Sequence, residues 1–227
     1  MNNLNTFLFI VLPYMAIFVF LAGTIYRYKR TKFSYSSLSS QFLESNTLFY
    51  GSQVFHWGII ILFFGHLVGF LFPKTVIAFG NQSVRILILE ITALIAGLAT
   101  LTGIILLLVR RITQERIRQS TTPMDWTIEI LLLVEIIFGV LIAFFHRWGS
   151  IWFASVLTPY LNSLFTLSPQ IQAISAVPWM IKAHISGFYL LLILFPFSRL
   201  VHMLVYPVRY IRRPFQRVIW NKRQPSG

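Results

Sequence analysis

Four of the chain's five histidines fall as two pairs inside two long apolar stretches, His56 and His66 in one, His184 and His202 in the other. Imidazole is rare in a bilayer-length segment and is a functional signal by default. Two histidines on each of two helices are the minimum inventory for two metal centres, each held from both sides by one ligand per helix. Haem iron accepts axial imidazole, and a site filled on both faces favours electron transfer over reaction with a bound small molecule. The pattern therefore implies a two-haem electron path across a membrane. For any single histidine the alternative is an interhelical hydrogen bond, but four in one antiparallel layout argue for the metal. Zinc or copper would need the imidazoles to converge on one point, and their spacing spreads them over more than a helix turn.

The elements that must carry these residues are membrane helices. Of the 227 residues, 56% are hydrophobic and only 11% charged, with a mean hydropathy of +0.73, outside the range of a soluble domain. The formal charge of +13 does not point to nucleic acid, because the basic residues fall in blocks between apolar runs rather than over one groove-facing surface. With no cysteine, disulfides, iron–sulfur ligation and covalent haem attachment are excluded, so any haem is of the noncovalent b type. A bilayer core needs about 20 apolar helical residues, and five stretches qualify, at roughly 6–26, 50–72, 86–109, 126–145 and 179–206. The fold class expected is an all-α integral membrane protein, a five-helix transmembrane bundle over residues 1–206 followed by a basic tail over 207–227. The first stretch lacks a basic n-region and an A-x-A-like site, so it reads as an uncleaved span.

Charge sets the expected orientation. Arg27, Lys29, Arg30 and Lys32 follow span one, Arg110, Arg111, Arg116 and Arg118 follow span three, and Arg209, Arg212, Arg213, Arg217, Lys222 and Arg223 lie in the tail. These 14 of the 19 basic residues mark the cytoplasmic side, against Lys74, Arg85, Arg147 and Lys182 opposite. The N-terminus is then outside and the C-terminus cytoplasmic. Residues 150–178 are apolar but interrupted by Pro159 and by Ser, Thr and Asn, and are expected to lie along the outer interface as a cap. The polar stretch 32–47 is a cytoplasmic loop.

With span two running outward and span five inward, topology pairs His56 with His202 on the inner side and His66 with His184 on the outer side. Glycine follows each outer histidine at the third position, as Gly69 and Gly187, on the same helix face, where a porphyrin edge would pack. Gly58 and Gly65 thin span two further. One mismatch needs resolving. At 1.5 Å per residue His56 and His66 are about 15 Å apart along a helix, and His184 and His202 about 27 Å. Straight parallel helices cannot match those heights, so a bend is expected near Pro196. His146 ends span four and reads as an interfacial structural residue.

At these residues the sequence resembles the gamma subunit of membrane-bound respiratory nitrate reductase, a five-helix cytochrome b. The resemblance covers nearly the whole chain and is carried by Arg27-Tyr28, Ser39-Ser40-Gln41, Phe55-His56 through Gly65-His66, Arg110-Arg111, and the run Leu194-Phe195-Pro196-Phe197-Ser198-Arg199-Leu200-Val201-His202. It implies the same ligand pairs, His56 and His202 for the inner (proximal) haem and His66 and His184 for the outer (distal) one. It also implies quinol oxidation near the distal haem, and electron delivery to an iron–sulfur beta subunit and a molybdenum-containing alpha subunit in the cytoplasm. Arg85 falls where that family carries a basic residue, commonly lysine, implicated in quinol binding, with Gly65 leaving room for the ring. Arginine does not give up its proton, so it binds there without acting as a base; snorkelling to headgroups is the alternative role.

Arg199, three residues before His202, is the first candidate partner for an inner haem propionate, with Arg110 and Arg111 as others. Glu90, Glu129 and Glu135 lie in or near spans and read as hydrogen-bonded helix contacts, with proton handling as the other option. Rival readings are a related gamma-type cytochrome serving a nitrite oxidoreductase or a sulfur-cycle complex, or a non-enzymatic anchor or transporter. The last would show repeat symmetry or unwound half-helices, and neither is present in the sequence.

Overall fold

The computed structural model describes residues 3–31 and 46–205, which are helical with short connections and contain no strand. Five helical segments are long and apolar enough to cross a bilayer: α1 (Asn3–Thr31), α2 (Asn46–Leu71), α3 (Ser83–Thr113), α4 (Pro123–Phe145) and α5 (Trp179–Leu194), the last reaching that length with the 3-10 turn that continues it to Phe197. Helix is the open-chain solution here because hydrocarbon offers no partner to an unpaired backbone N–H or C=O. The polar loop 32–45 and the tail 207–227 lie outside the described residues. The helices pack as neighbours in the order α1, α5, α4, α3, α2. The two histidine-bearing helices, α2 and α5, stand at a distance from each other, without the broad backbone packing that joins α2 to α3.

The α2–α3 contact is close because glycine lines it. A Cβ on Gly103 would sit 2.4 Å from the backbone nitrogen of Phe55, and one on Gly58 would meet Thr100 Oγ1 at 2.3 Å. Small residues let membrane helices approach to backbone contact. The start of α4 is fixed by a capping box in which Thr122 Oγ1 accepts from the Asp125 N–H and the Asp125 carboxylate accepts from the Thr122 N–H, with Pro123 in the first turn.

The cap expected over 150–178 contains no bilayer-length helix, but Pro159 does not interrupt it as anticipated. Residues 149–165 run on as Gly149–Trp152, a π-turn Phe153–Leu157, and Thr158–Phe165. In the wide turn the Thr158 N–H reaches back five residues to Phe153 O, just before the proline. The same device stands in α1, where a π-turn at Phe7–Val11 precedes Pro13. The cap also supplies the best-buried cluster of the molecule, with Leu157, Tyr160 and Leu164 packed against Phe9, Leu12 and Ala16 of α1 and Ile181, Ile185 and Tyr189 of α5.

Two buried cap hydroxyls complete hydrogen bonds that prolines deny. Pro13 has no N–H for Phe9 O, four residues back, and Tyr160 Oη donates there at 2.9 Å. Pro73 has none for Gly69 O, and Thr158 Oγ1 donates at 3.1 Å. Burial, with Tyr189 beside it, pushes the Tyr160 hydroxyl well above the usual phenol range, so it remains a donor. Glu90 of α3 accepts from both the backbone N–H and the hydroxyl of Ser150, at 3.0 and 2.6 Å. It ties the start of the cap to α3, in keeping with the hydrogen-bonded role read for it.

Candidate functional site

His56 and His66 are carried by α2, His184 by α5, and His202 by a short helix, His202–Val205, that follows α5. His56 and His202 face each other with ring centroids 6.3 Å apart. Two imidazoles gripping one metal ion from opposite sides, each at a metal–nitrogen distance of about 2 Å, have centroids about 6 Å apart. The inner pair therefore has the separation a shared axial site requires.

The Nδ1 side of each ring is equally informative. His56 Nδ1 lies 2.7 Å from Ser52 O, His66 Nδ1 2.7 Å from Leu62 O, and His202 Nδ1 2.7 Å from Arg199 O. Each is a ring N–H donating to a backbone carbonyl of its own turn, which fixes the tautomer and leaves the Nε2 lone pair for a metal. His184 differs, because its Nδ1 faces the Glu135 carboxylate of α4 at 3.0 Å. Among the described residues no group of three or more His, Asp or Glu side chains converges, so the zinc or copper alternative has no site there.

The height mismatch is resolved by a break rather than a bend. Span five was expected to run to residue 206, but α5 ends at Leu194 and is followed by two 3-10 turns, Phe195–Phe197 and Arg199–Val201. Between them Ser198 is extended (φ −104°, ψ 178°), and its Oγ accepts from Leu200 N at 3.2 Å to start the second turn. Pro196, lacking a donor, is the physical cause. The break exposes buried carbonyls, and Arg27 of α1 reaches across to donate to Pro196 O, and to Ser198 O at 2.6 Å. One turn earlier Gly23 lets α1 approach, since a Cβ there would lie 2.8 Å from Pro196.

The other candidates fall at the two ends of the bundle. Arg199 Nε pairs with Asp125 at 3.1 Å, and Arg111 Nε with Glu129, while Arg111 also donates to Thr121 Oγ1 at 3.1 Å. Two of the arginines assigned to propionates are thus held by carboxylates of α4; Arg110 is buried. At the cap end the Arg85 guanidinium lies 5.7 Å from the centre of the Phe79 ring. A Cβ on Gly65 would meet nothing within 4 Å, whereas the spaces beside Gly69 and Gly187 are taken by the Phe153 ring and the Glu135 carboxylate. Phe153 also stands edge-on to His66, at 5.4 Å between centroids. His146 ends α4, its N–H bonded to Ile142 O at 2.8 Å, and helps line a cavity of about 600 Å³ with Trp148, Trp152 and Ile181.

The family model for the nitrate reductase gamma subunit matches residues 5–221 of this chain. The chain belongs to that family. It is 33% identical to the nitrate reductase gamma chain of Bacillus subtilis, over 94% of this chain and 96% of that one. It is also 33% identical to the respiratory nitrate reductase 1 gamma chain of Escherichia coli, over 96% and 98%. A nitrate reductase-like protein of Mycobacterium tuberculosis is 30% identical over 94% of this chain, which spans 33% of its length. The chain is thus a membrane subunit of a respiratory nitrate reductase, one part of an oxidoreductase complex.

In this gamma subunit the sequence did not mark Arg27 and Asp125 as site residues. Arg27 reads in the sequence as a topological charge and as part of the family resemblance, yet an arginine inside a helix that faces a proline-broken partner also signals unsatisfied carbonyls. Arg27→Ala removes donors from two buried carbonyls, at about 1–3 kcal/mol for each, and frees the turn that carries His202. The expected outcome is a lower melting temperature and specific loss of the inner haem, with Arg27→Lys recovering part of both, checked by thermal unfolding and haem content in detergent.

Proposed function

We propose that this chain is the quinol-oxidising, electron-carrying subunit of the complex, and that it holds two b haems, one between His56 and His202 and one between His66 and His184. The observation that carries the reading is the histidine set itself. The rings of His56 and His202 stand 6.3 Å apart, three of the four histidines have Nδ1 at a backbone carbonyl, and Nδ1 of His184 lies 3.0 Å from the Glu135 carboxylate. When bound, the haems supply single-electron redox steps.

By the positive-inside rule, the basic ends of α1 and α3 and the basic composition of residues 207–227 support a cytoplasmic location for that side and an outer location for the capped end. At the outer end Arg85 supplies a fixed cation for a quinol oxygen, and the open space beside Gly65 admits a flat ring. Proton release outside and inward electron flow both charge the membrane. Each electron moved inward works against about 2.3 kcal/mol per 100 mV, so the acceptor must lie well downhill. An iron–sulfur subunit feeding a molybdenum subunit, docked at the basic cytoplasmic face, meets that need.

The test is to mix the oxidised, detergent-purified complex with a reduced naphthoquinol and follow the b-haem absorbance. Reduction is expected in the intact protein and is expected to slow at least tenfold in Arg85→Ala, roughly the loss of one charge-assisted hydrogen bond. Unchanged reduction in that variant removes Arg85 from the quinol site, and no quinol-driven reduction in the intact protein contradicts the proposed function.

A further inference from the structure

We infer that Glu135 is a positioning residue that holds His184 and lowers the reduction potential of the outer redox centre. The inference rests on the reading of His184 as an axial ligand. Three of the four histidines have Nδ1 hydrogen-bonded to a neutral carbonyl of their own chain turn, while Nδ1 of His184 stands at ion-pair distance from a carboxylate of another helix.

The surroundings are built around that carboxylate. Glu135 is buried, at 6% exposure, in the middle of α4. An anion in that position is costly without a partner, and its Oε2 lies 3.0 Å from His184 Nδ1, within ion-pair distance though off the ring N–H axis. Gly187 makes the room, since a Cβ there, one turn after His184, would lie 1.7 Å from Glu135 Oε1. A Cβ on Gly139, one turn after Glu135, would lie in ordinary contact with His184 Cε1 at 3.4 Å. The Glu135/Gly139 face of α4 and the His184/Gly187 face of α5 thus form one fitted contact.

A carboxylate at this distance from the ring stabilises the more positive, oxidised state of a metal bound there and so lowers its potential. The inner pair has backbone carbonyls in that place, and Arg199, one turn from His202, is paired with Asp125, so the contrast between the two centres comes from Glu135. The chain thereby builds a downhill step from the outer centre to the inner one.

Glu135→Gln keeps an acceptor of the same shape without the charge. Redox titration of the purified complex, with the outer band assigned from its absence in His66→Ala, is expected to show both haems retained. The outer ferrous-to-ferric ratio at a fixed potential should rise at least tenfold, about 59 mV for one electron, with the inner midpoint unmoved. Gly187→Ala, which crowds the carboxylate away without altering it, should shift the same band, and Glu135→Asp should stay nearer the original. Two haems with unmoved midpoints in Glu135→Gln and Gly187→Ala, or equal shifts of both bands, would overturn the inference while leaving the proposed function intact. Absence of haem from the unaltered protein would overturn both, so the two failures are distinguishable.

Discussion

Replacing His66 with alanine is expected to halve the haem content, from two per chain to one, and to stop quinol-driven electron flow while the inner haem stays in place. Loss of an outer-shell partner typically costs about 10–100-fold in affinity or activity, and loss of an axial ligand should exceed that. The selectivity follows from geometry. His66 has its Nδ1 tied to Leu62 O and its ring against Phe153, on the capped side, while His56 and His202 face each other independently ten residues away along α2. His56→Ala should produce the converse, with the outer haem retained and reducible by quinol but unable to pass electrons on. Haem extraction and low-temperature absorption spectra of the two variants check both halves.

The second large effect is expected at a residue with no chemistry. Gly103→Val places a branched side chain where the Phe55 backbone already stands, with nitrogen and Cα at 2.4 and 2.6 Å from an ideal Cβ. Overpacking a core costs about 1–3 kcal/mol when neighbouring side chains can yield. Here a backbone must yield, so the cost is expected at about 3 kcal/mol or more, and α2 must move away from α3. Because Phe55 precedes His56, the inner haem should be lost before the outer one. Gly65→Val is the internal control, since a Cβ there meets only open space. Its melting temperature should stay near that of the unaltered protein, with any effect confined to quinol-driven reduction. Thermal unfolding of both variants in detergent separates a packing glycine from an access glycine.

Much of this architecture was legible because membrane solvent imposes simple rules. Length and hydropathy alone give five spans, since nothing but a helix satisfies its backbone in hydrocarbon. The heights of His184 and His202 demanded a distortion, and Pro196 located it. The identity of what fills a space was less legible. Gly187 signals a missing side chain one turn from His184, but not that Glu135 of another helix stands against it. Arg27 and Asp125 were visible as charges, yet their partners, the carbonyls of Pro196 and Ser198 and the guanidinium of Arg199, lie more than 70 residues away in sequence. Periodicity reports which face of a helix is apolar and is silent on which polar group comes to meet it. The cap was the hardest segment, because Pro159 normally ends a helix, and only the π-turn before it allows continuation.

The measurement that bears most directly on the account is the haem content, with the reduced-minus-oxidised spectrum, of the unaltered protein purified in detergent with its partner subunits. Two noncovalent b haems per chain, resolved as two bands of which His66→Ala removes one and His56→Ala the other, is the predicted result. No haem, or a single haem lost in both variants, would contradict it and return the four histidines to helix packing.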